Sequence, residues 1–128
     1  MQYYFNKTLT APFEDAVTRT TAALKAEGFG IITEIDVKKT LLEKIGVAFR
    51  NYRILGACNP KLAFEALELE DKIGTMLPCN VVVQERDNGT VEVAAIDPVA
   101  SMQAIENPRL KEAAAQVGER LKRVIAAI

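Results

Sequence analysis

Residues 79–97, CNVVVQERDNGTVEVAAID, decide the fold of this 128-residue chain. Two apolar runs, 79–86 and 90–97, flank the turn sequence Asp-Asn-Gly at 87–89. An Asn-Gly pair between apolar runs is the strongest short-range signal for a β-hairpin, so this segment fixes one antiparallel strand pair. Helical patterns separate the earlier strand-like runs. The sequence therefore predicts an α+β fold in which helices pack on one sheet of about five strands.

Outward from the hairpin, strand and helix patterns alternate along the chain without a linker or a repeat. Aromatic and β-branched runs predict three further strands at 2–9, 29–35 and 50–58. The expected order is β-α-β-α-β-α-β-β-α within a single domain, 1–128, with one extra helical turn before the last helix. Four helix starts are marked by a capping residue, at Asp36, Asn59, Asp97 and Asn107.

The last predicted helix, 108–128, carries its apolar residues at steps of three and four. That stripe predicts Leu110, Val117, Leu121 and Val124 as its anchors in the core. The second helix, 37–45, is expected to present its own apolar side through Leu41, Leu42 and Ile45. The cations Arg120, Lys122 and Arg123 are interpreted as favourable to the dipole of the last helix.

Composition excludes several classes of function. A formal charge of −1, from 16 basic and 17 acidic residues, argues against a nucleic-acid partner, which needs a basic surface. No apolar run approaches the roughly 18 residues of a membrane span, and no secretory signal opens the chain. We therefore expect a cytoplasmic protein with reduced thiols. The chain has no histidine, which excludes Ser-His-Asp and Cys-His catalysis.

Two near-mirror tripeptides hold the only cysteines, Cys58-Asn59-Pro60 and Pro78-Cys79-Asn80. If their strands pair antiparallel, the two cysteines become neighbours, and strand alternation is expected to turn both thiols inward. Inward thiols favour simple packing, because free cysteine is among the most buried residue types. A functional reading stays open, since a helix N-terminus after Cys58 favours the reactive thiolate form.

The candidate ligand-binding residues are thus Cys58, Asn59, Cys79 and Asn80, with catalytic residues and cofactors unknown. Asn59 is well explained as a helix cap, whereas Asn80 is a polar amide that opens an apolar strand. Met76 could add a third soft donor to the thiols for a copper(I)-like ion. Two cysteines without histidine are too few for a structural zinc site.

The segment 28–98 resembles the bacterial and archaeal domain-of-unknown-function family 302. The resemblance rests mainly on YRILGACNP at 52–60 and LPCNVVV at 77–83, with Asp97-Pro98 at its end. It implies a small α+β domain that forms compact dimers, and it implies no activity. An exposed apolar edge at Tyr3, Tyr4 and Phe5 also favours a homodimer, because such edges are usually covered or paired.

The leading hypothesis is a cytoplasmic, homodimeric binding or accessory domain with a small-molecule or soft-ligand site at the Cys58 and Cys79 turns. One alternative is a thiol-dependent protein that handles soft metals or sulfur species. A second is a histidine-free enzyme that acts on a small molecule. A third is a purely structural dimer module.

Overall fold

The computed structural model describes residues 2–128, which form a five-stranded sheet and five α-helices in the order that the sequence predicts. A 3₁₀ helix over Asp71–Met76, which the sequence pattern does not predict, links the third helix to the hairpin. The strands are β1 (Tyr4–Leu9), β2 (Gly30–Asp36), β3 (Tyr52–Cys58), β4 (Cys79–Glu85) and β5 (Val91–Ile96), and the helices are α1 (Phe13–Ala26), α2 (Val37–Ile45), α3 (Pro60–Leu69), α4 (Pro98–Ser101) and α5 (Pro108–Ala127).

The sheet has the order β1-β5-β4-β3-β2, and every neighbouring pair is antiparallel. The hairpin closes as expected: the backbone N–H of Arg86 donates to the carbonyl oxygen of Thr90 at 2.8 Å. Gly89 takes a φ of 77°, a left-handed conformation that glycine adopts without the steric penalty of a side chain. β3 and β4 are neighbours, which confirms the expected pairing of the two cysteine-bearing strands.

All four expected caps are present. The side-chain oxygens of Asp36, Asn59, Asp97 and Asn107 accept hydrogen bonds from backbone N–H groups two or three residues further on, at 3.0–3.3 Å. Each cap satisfies donors that a helix leaves unpaired in its first turn. Local chemistry therefore fixes where these helices begin and, through Asn59, how the chain turns from β3 into α3.

The main core lies between one face of the sheet and the helices α1 and α5. The predicted stripe of α5 is confirmed: Leu110, Leu121 and Val124 are buried, and Val117 is half-buried against the core. α2 adds no buried residue to the core: Leu41 on its apolar side is half-buried, whereas Leu42 and Ile45 are exposed. α2 connects two adjacent antiparallel strands and so does not have to cross the sheet.

A second, smaller hydrophobic cluster lies beside the main core. It joins α3, the 3₁₀ helix, α4 and α5 through Ala66, Ile73, Met102, Leu110 and Ala114. Among residues 2–128, no helix is long and apolar enough to cross a membrane. The space between the main core and this second cluster is where the candidate site forms.

Candidate functional site: an apolar cavity at the ends of β3 and β4

A cavity of about 280 Å³ lies where β3 and β4 meet α3, α4 and α5. Its wall combines residues of the main core, such as Phe29, with residues of the second cluster, such as Met102 and Leu110. Within residues 2–128, no charged side chain lines it, and its polar side-chain groups are the amide of Asn59 and the two thiols. This volume is near the lower end for small-molecule sites, which are concave and mostly apolar with a few polar groups.

Two short stretches of strand ends, 57–59 and 77–79, form the floor of the cavity. Ala57 lies directly opposite Cys79 in the β3–β4 register, so both stretches reach the same end of the sheet. The mirrored motifs are therefore together in space, as the sequence analysis expects. At the mouth, Ile32 and Leu67 are 61% and 43% exposed, which leaves an apolar rim open to solvent.

The two thiols do not share a face of the sheet. Cys79 is buried beside Val81, as expected. The same expectation for Cys58 is wrong: its neighbour Ala57 is in the core, so alternation places Cys58 on the opposite face, half-buried.

Gly56 lies on the same face of β3 as Cys58, the face that the sequence analysis expects to be inward. It is buried although it lies on the same face as Cys58, because Thr33 and Pro78 pack over it. A Cβ at this position would clash with the side chain of Thr33 and lie 2.8 Å from Cγ of Pro78. Glycine is therefore required by close approach on the outer face, and it does not mark the core.

The electrostatics of the site disfavour thiolate chemistry at Cys79. Burial raises the pKa of Cys79 from 9.0 to about 11, with a smaller contribution from the neighbouring Cys58. A thiol with this pKa is protonated at neutral pH, whereas thiolates are the nucleophiles and metal ligands. Met76 does not line the cavity, and residues 2–128 hold no cluster of three or more histidine, cysteine or acidic side chains suited to a metal.

The two asparagines have different surroundings. Asn59 lines the cavity, and its Oδ1 accepts a hydrogen bond from the backbone N–H of Leu62 at 3.2 Å. Its Nδ2 donates no hydrogen bond within residues 2–128 and lies 2.9 Å from the point that a Cβ on Gly28 would occupy. Asn80 is exposed opposite Gly56 and does not line the cavity. The structure thus brings together three of the four candidate residues.

Arg120 is a neighbour of the site that the sequence analysis assigns to the helix dipole. Its Nη1 lies 3.8 Å from the same Cβ position on Gly28 and donates to the carbonyl oxygen of Glu27 at 3.1 Å. Sequence spacing alone carries no signal for this contact, because residues 27 and 120 meet only in the folded chain.

Comparison with known proteins gives a family and a fold. Residues 5–128 match the family model described as "Domain of unknown function DUF302", a match that extends beyond 28–98 on both sides. A similar solved structure is that of an uncharacterized conserved DUF302 protein from Bacillus stearothermophilus. It shares 29% sequence identity with a TM-score of 0.92, covering 99% of this chain and 98% of that one. No curated protein matches the chain.

Proposed function

The chain belongs to the DUF302 family, whose description names no activity, and we propose that it is a small binding domain whose cavity takes a predominantly apolar small molecule. The observation that carries this proposal is the cavity of about 280 Å³ with an uncharged, mostly hydrocarbon wall. Burial of apolar ligand surface there would supply about 25 cal/mol per Å² as the driving force.

Construction of the wall supports a preformed site. The floor is formed by the ends of two paired central strands, and the sides are helices anchored by buried residues such as Leu110 and Ala114. A pocket fixed by packed elements needs little ordering when a ligand enters, which keeps the entropic cost of binding low. The exposed apolar rim at Ile32 and Leu67 gives a hydrophobic ligand an entrance.

Titration of the purified protein with 1-octanol, followed by NMR chemical shifts, tests the proposal. We expect saturable shifts at wall residues such as Ala113, which is half-buried. Ala113→Phe fills part of the cavity and should weaken binding at least about tenfold. Ala115→Phe places the same side chain at an exposed position of the same helix and should leave binding unchanged. Absence of saturable binding to the folded protein would refute the proposal.

We also propose that the protein is a homodimer in the cytoplasm. β1 is an edge strand, and an antiparallel edge strand can pair with its own copy about a two-fold axis. Tyr3, 63% exposed beside that strand, adds apolar surface for such a contact. Cys58 and Cys79 are both free on adjacent strands, which suits a reducing compartment.

A thiol-dependent function is the second candidate. It is supported by the short separation of Cys58 and Cys79. Because the two are close, Cys58 contributes to the raised pKa of Cys79. Stoichiometric copper(I) binding that Cys58→Ser abolishes, without a change in melting temperature, would favour this candidate. The protonated state of Cys79 at neutral pH makes the apolar-ligand proposal the stronger one.

A further inference from the structure

We infer that the ligand of the cavity is a small amphipathic monocarboxylate, with its hydrocarbon part in the cavity and its carboxylate held at the rim by Asn59 and Arg120. This inference rests on the proposed function, that the cavity takes an apolar molecule. It adds the chemical class of the ligand and the two residues that would select it.

The rim presents two N–H donors close to one point. Nδ2 of Asn59 and Nη1 of Arg120 lie 2.9 and 3.8 Å from the position of a Cβ on Gly28. Gly28 has a φ of 87°, so a residue with a side chain is disfavoured there on two counts, backbone strain and lack of space. The two oxygens of a carboxylate could accept from both donors together.

Both donors have unused capacity. Asn59 uses its Oδ1 to cap α3, and its Nδ2 has no acceptor among residues 2–128. Arg120 donates to one carbonyl oxygen, and its guanidinium has no carboxylate within 4.0 Å in the described part of the chain. Half-buried cations normally have a counter-ion, because removing charge from water is costly. A ligand carboxylate would supply the missing partner.

The two cations that follow Arg120 closely in the last helix are paired within the protein. Arg123 pairs with Glu27 at 3.0 Å, and Lys122 pairs with Glu119 at 3.3 Å. The carbonyl oxygen of Glu27 accepts a hydrogen bond from Arg120, whereas the carboxylate of Glu27 is engaged by Arg123. In the described part of the chain, Arg120 thus has no carboxylate partner of its own within 4.0 Å.

The rim is continuous with the cavity. Asn59 lines the cavity directly, and Phe29, which follows Gly28 in the chain, is part of the wall. Val117, one helical turn before Arg120, also lines it. An uncharged interior beside an unpaired cation fits a ligand that is apolar at one end and anionic at the other. At about 30 Å³ for each water-sized volume, the cavity holds roughly eight to ten non-hydrogen atoms.

The test compares sodium octanoate with 1-octanol by calorimetric titration of the full chain. Octanoate should bind at least about tenfold more tightly, the value of one charge-assisted hydrogen bond. Arg120→Met should remove that preference and leave the affinity for octanol unchanged. Arg109→Met, the same charge change at an exposed position of the same helix, should alter neither affinity.

A second variant addresses the amide. Asn59→Asp keeps a good helix cap but replaces the Nδ2 donor by a negatively charged oxygen. It should weaken octanoate binding more than octanol binding, with no loss of melting temperature.

Three outcomes would overturn the inference. Equal affinities for octanoate and 1-octanol in the unmodified protein would show that the site does not recognise a carboxylate, although it would still be an apolar site. Octanoate binding that Ala113→Phe does not weaken would mean that octanoate binds elsewhere. If neither probe binds, the proposed function and this inference fail together.

Discussion

Cys58 and Cys79 end and begin neighbouring strands, yet their side chains lie on opposite faces of the sheet. Ala57 is the residue opposite Cys79, so Cys58 is displaced by one position and points the other way. A disulfide requires Cβ atoms that face each other, so this arrangement disfavours a Cys58–Cys79 disulfide, although both residues line the same cavity. One of them is buried and the other is half-buried, which gives them different chemistry.

Thiol labelling of the native protein at pH 7 should modify Cys58 well before Cys79. Cys58 is the more accessible of the two, whereas Cys79 is buried and its raised pKa keeps it protonated. Iodoacetamide treatment followed by peptide mass spectrometry measures the order. Cys58→Ser should then show almost no labelling until the protein unfolds. Equal labelling rates at the two positions would contradict the assigned burial.

Stability should fall between pH 9 and 11 because of Cys79. Its pKa is raised to about 11 in the folded protein, so the folded state holds this proton more tightly than the unfolded chain does. The contribution is fully present below about pH 9 and is lost as the pH rises through 11. Between pH 8 and 10.5 the loss from this group should be about 2 kcal/mol.

Urea unfolding at the two pH values measures this change, with Cys79→Ala as the matched control. Other groups titrate in the same range, so the informative quantity is the difference between the two proteins. The free energy of unfolding of Cys79→Ala should decline less steeply from pH 8 to 10.5. Parallel declines in both proteins would show that Cys79 is not the group responsible.

Local signals made most of the fold predictable. The hairpin follows from an Asn-Gly turn. The start of α3 is predictable because Asn59 caps it through a hydrogen bond to a residue only three positions further on. The face of Cys58 could not be predicted, because β3 is a central strand with apolar residues on both faces. Without alternation of polar and apolar residues, the sequence of β3 does not show which of its two faces packs on the core.

The cavity lies beyond sequence reasoning for a different reason. Its wall draws on strand ends, α3, α4 and α5, so it exists only once the second cluster has docked on the main core. The contact of Arg120 with Glu27 joins residues far apart in the chain. Asn80, which looked like a site residue by motif symmetry, is exposed because strand alternation places it on the opposite face from Cys79.

Leu121→Ala should lower the free energy of unfolding by about 2–5 kcal/mol. Leu121 is fully buried in the main core, so truncation leaves a cavity that α1 and the sheet cannot fill. Gln116→Ala, at an exposed position of the same helix, should change stability by less than about 0.5 kcal/mol. Chemical denaturation of both variants is the measurement, and a small loss at Leu121 would mean that the wrong face of α5 is inward.

The proposed homodimer can be tested at the free edge of β1. The backbone N–H of Asp97 donates to the carbonyl oxygen of Tyr3, which fixes the alternation along β1. Every second residue from Tyr3 then bonds to β5, so the backbone groups of Thr8 point away from the sheet. Thr8→Pro removes an outward N–H and spares the β1–β5 ladder. It should convert the dimer to a monomer of unchanged fold.

Light scattering coupled to size exclusion, at micromolar protein concentration, measures the oligomeric state of each variant. Thr8→Val is the matched control, because it keeps the outward N–H at the same exposed position and should remain dimeric. Circular dichroism should give the same helix and strand content for all three proteins. If the unmodified chain is a monomer, the dimer proposal fails. A Thr8→Pro variant that stays dimeric would reject β1 as the contact, since strand pairing at that edge needs the missing donor.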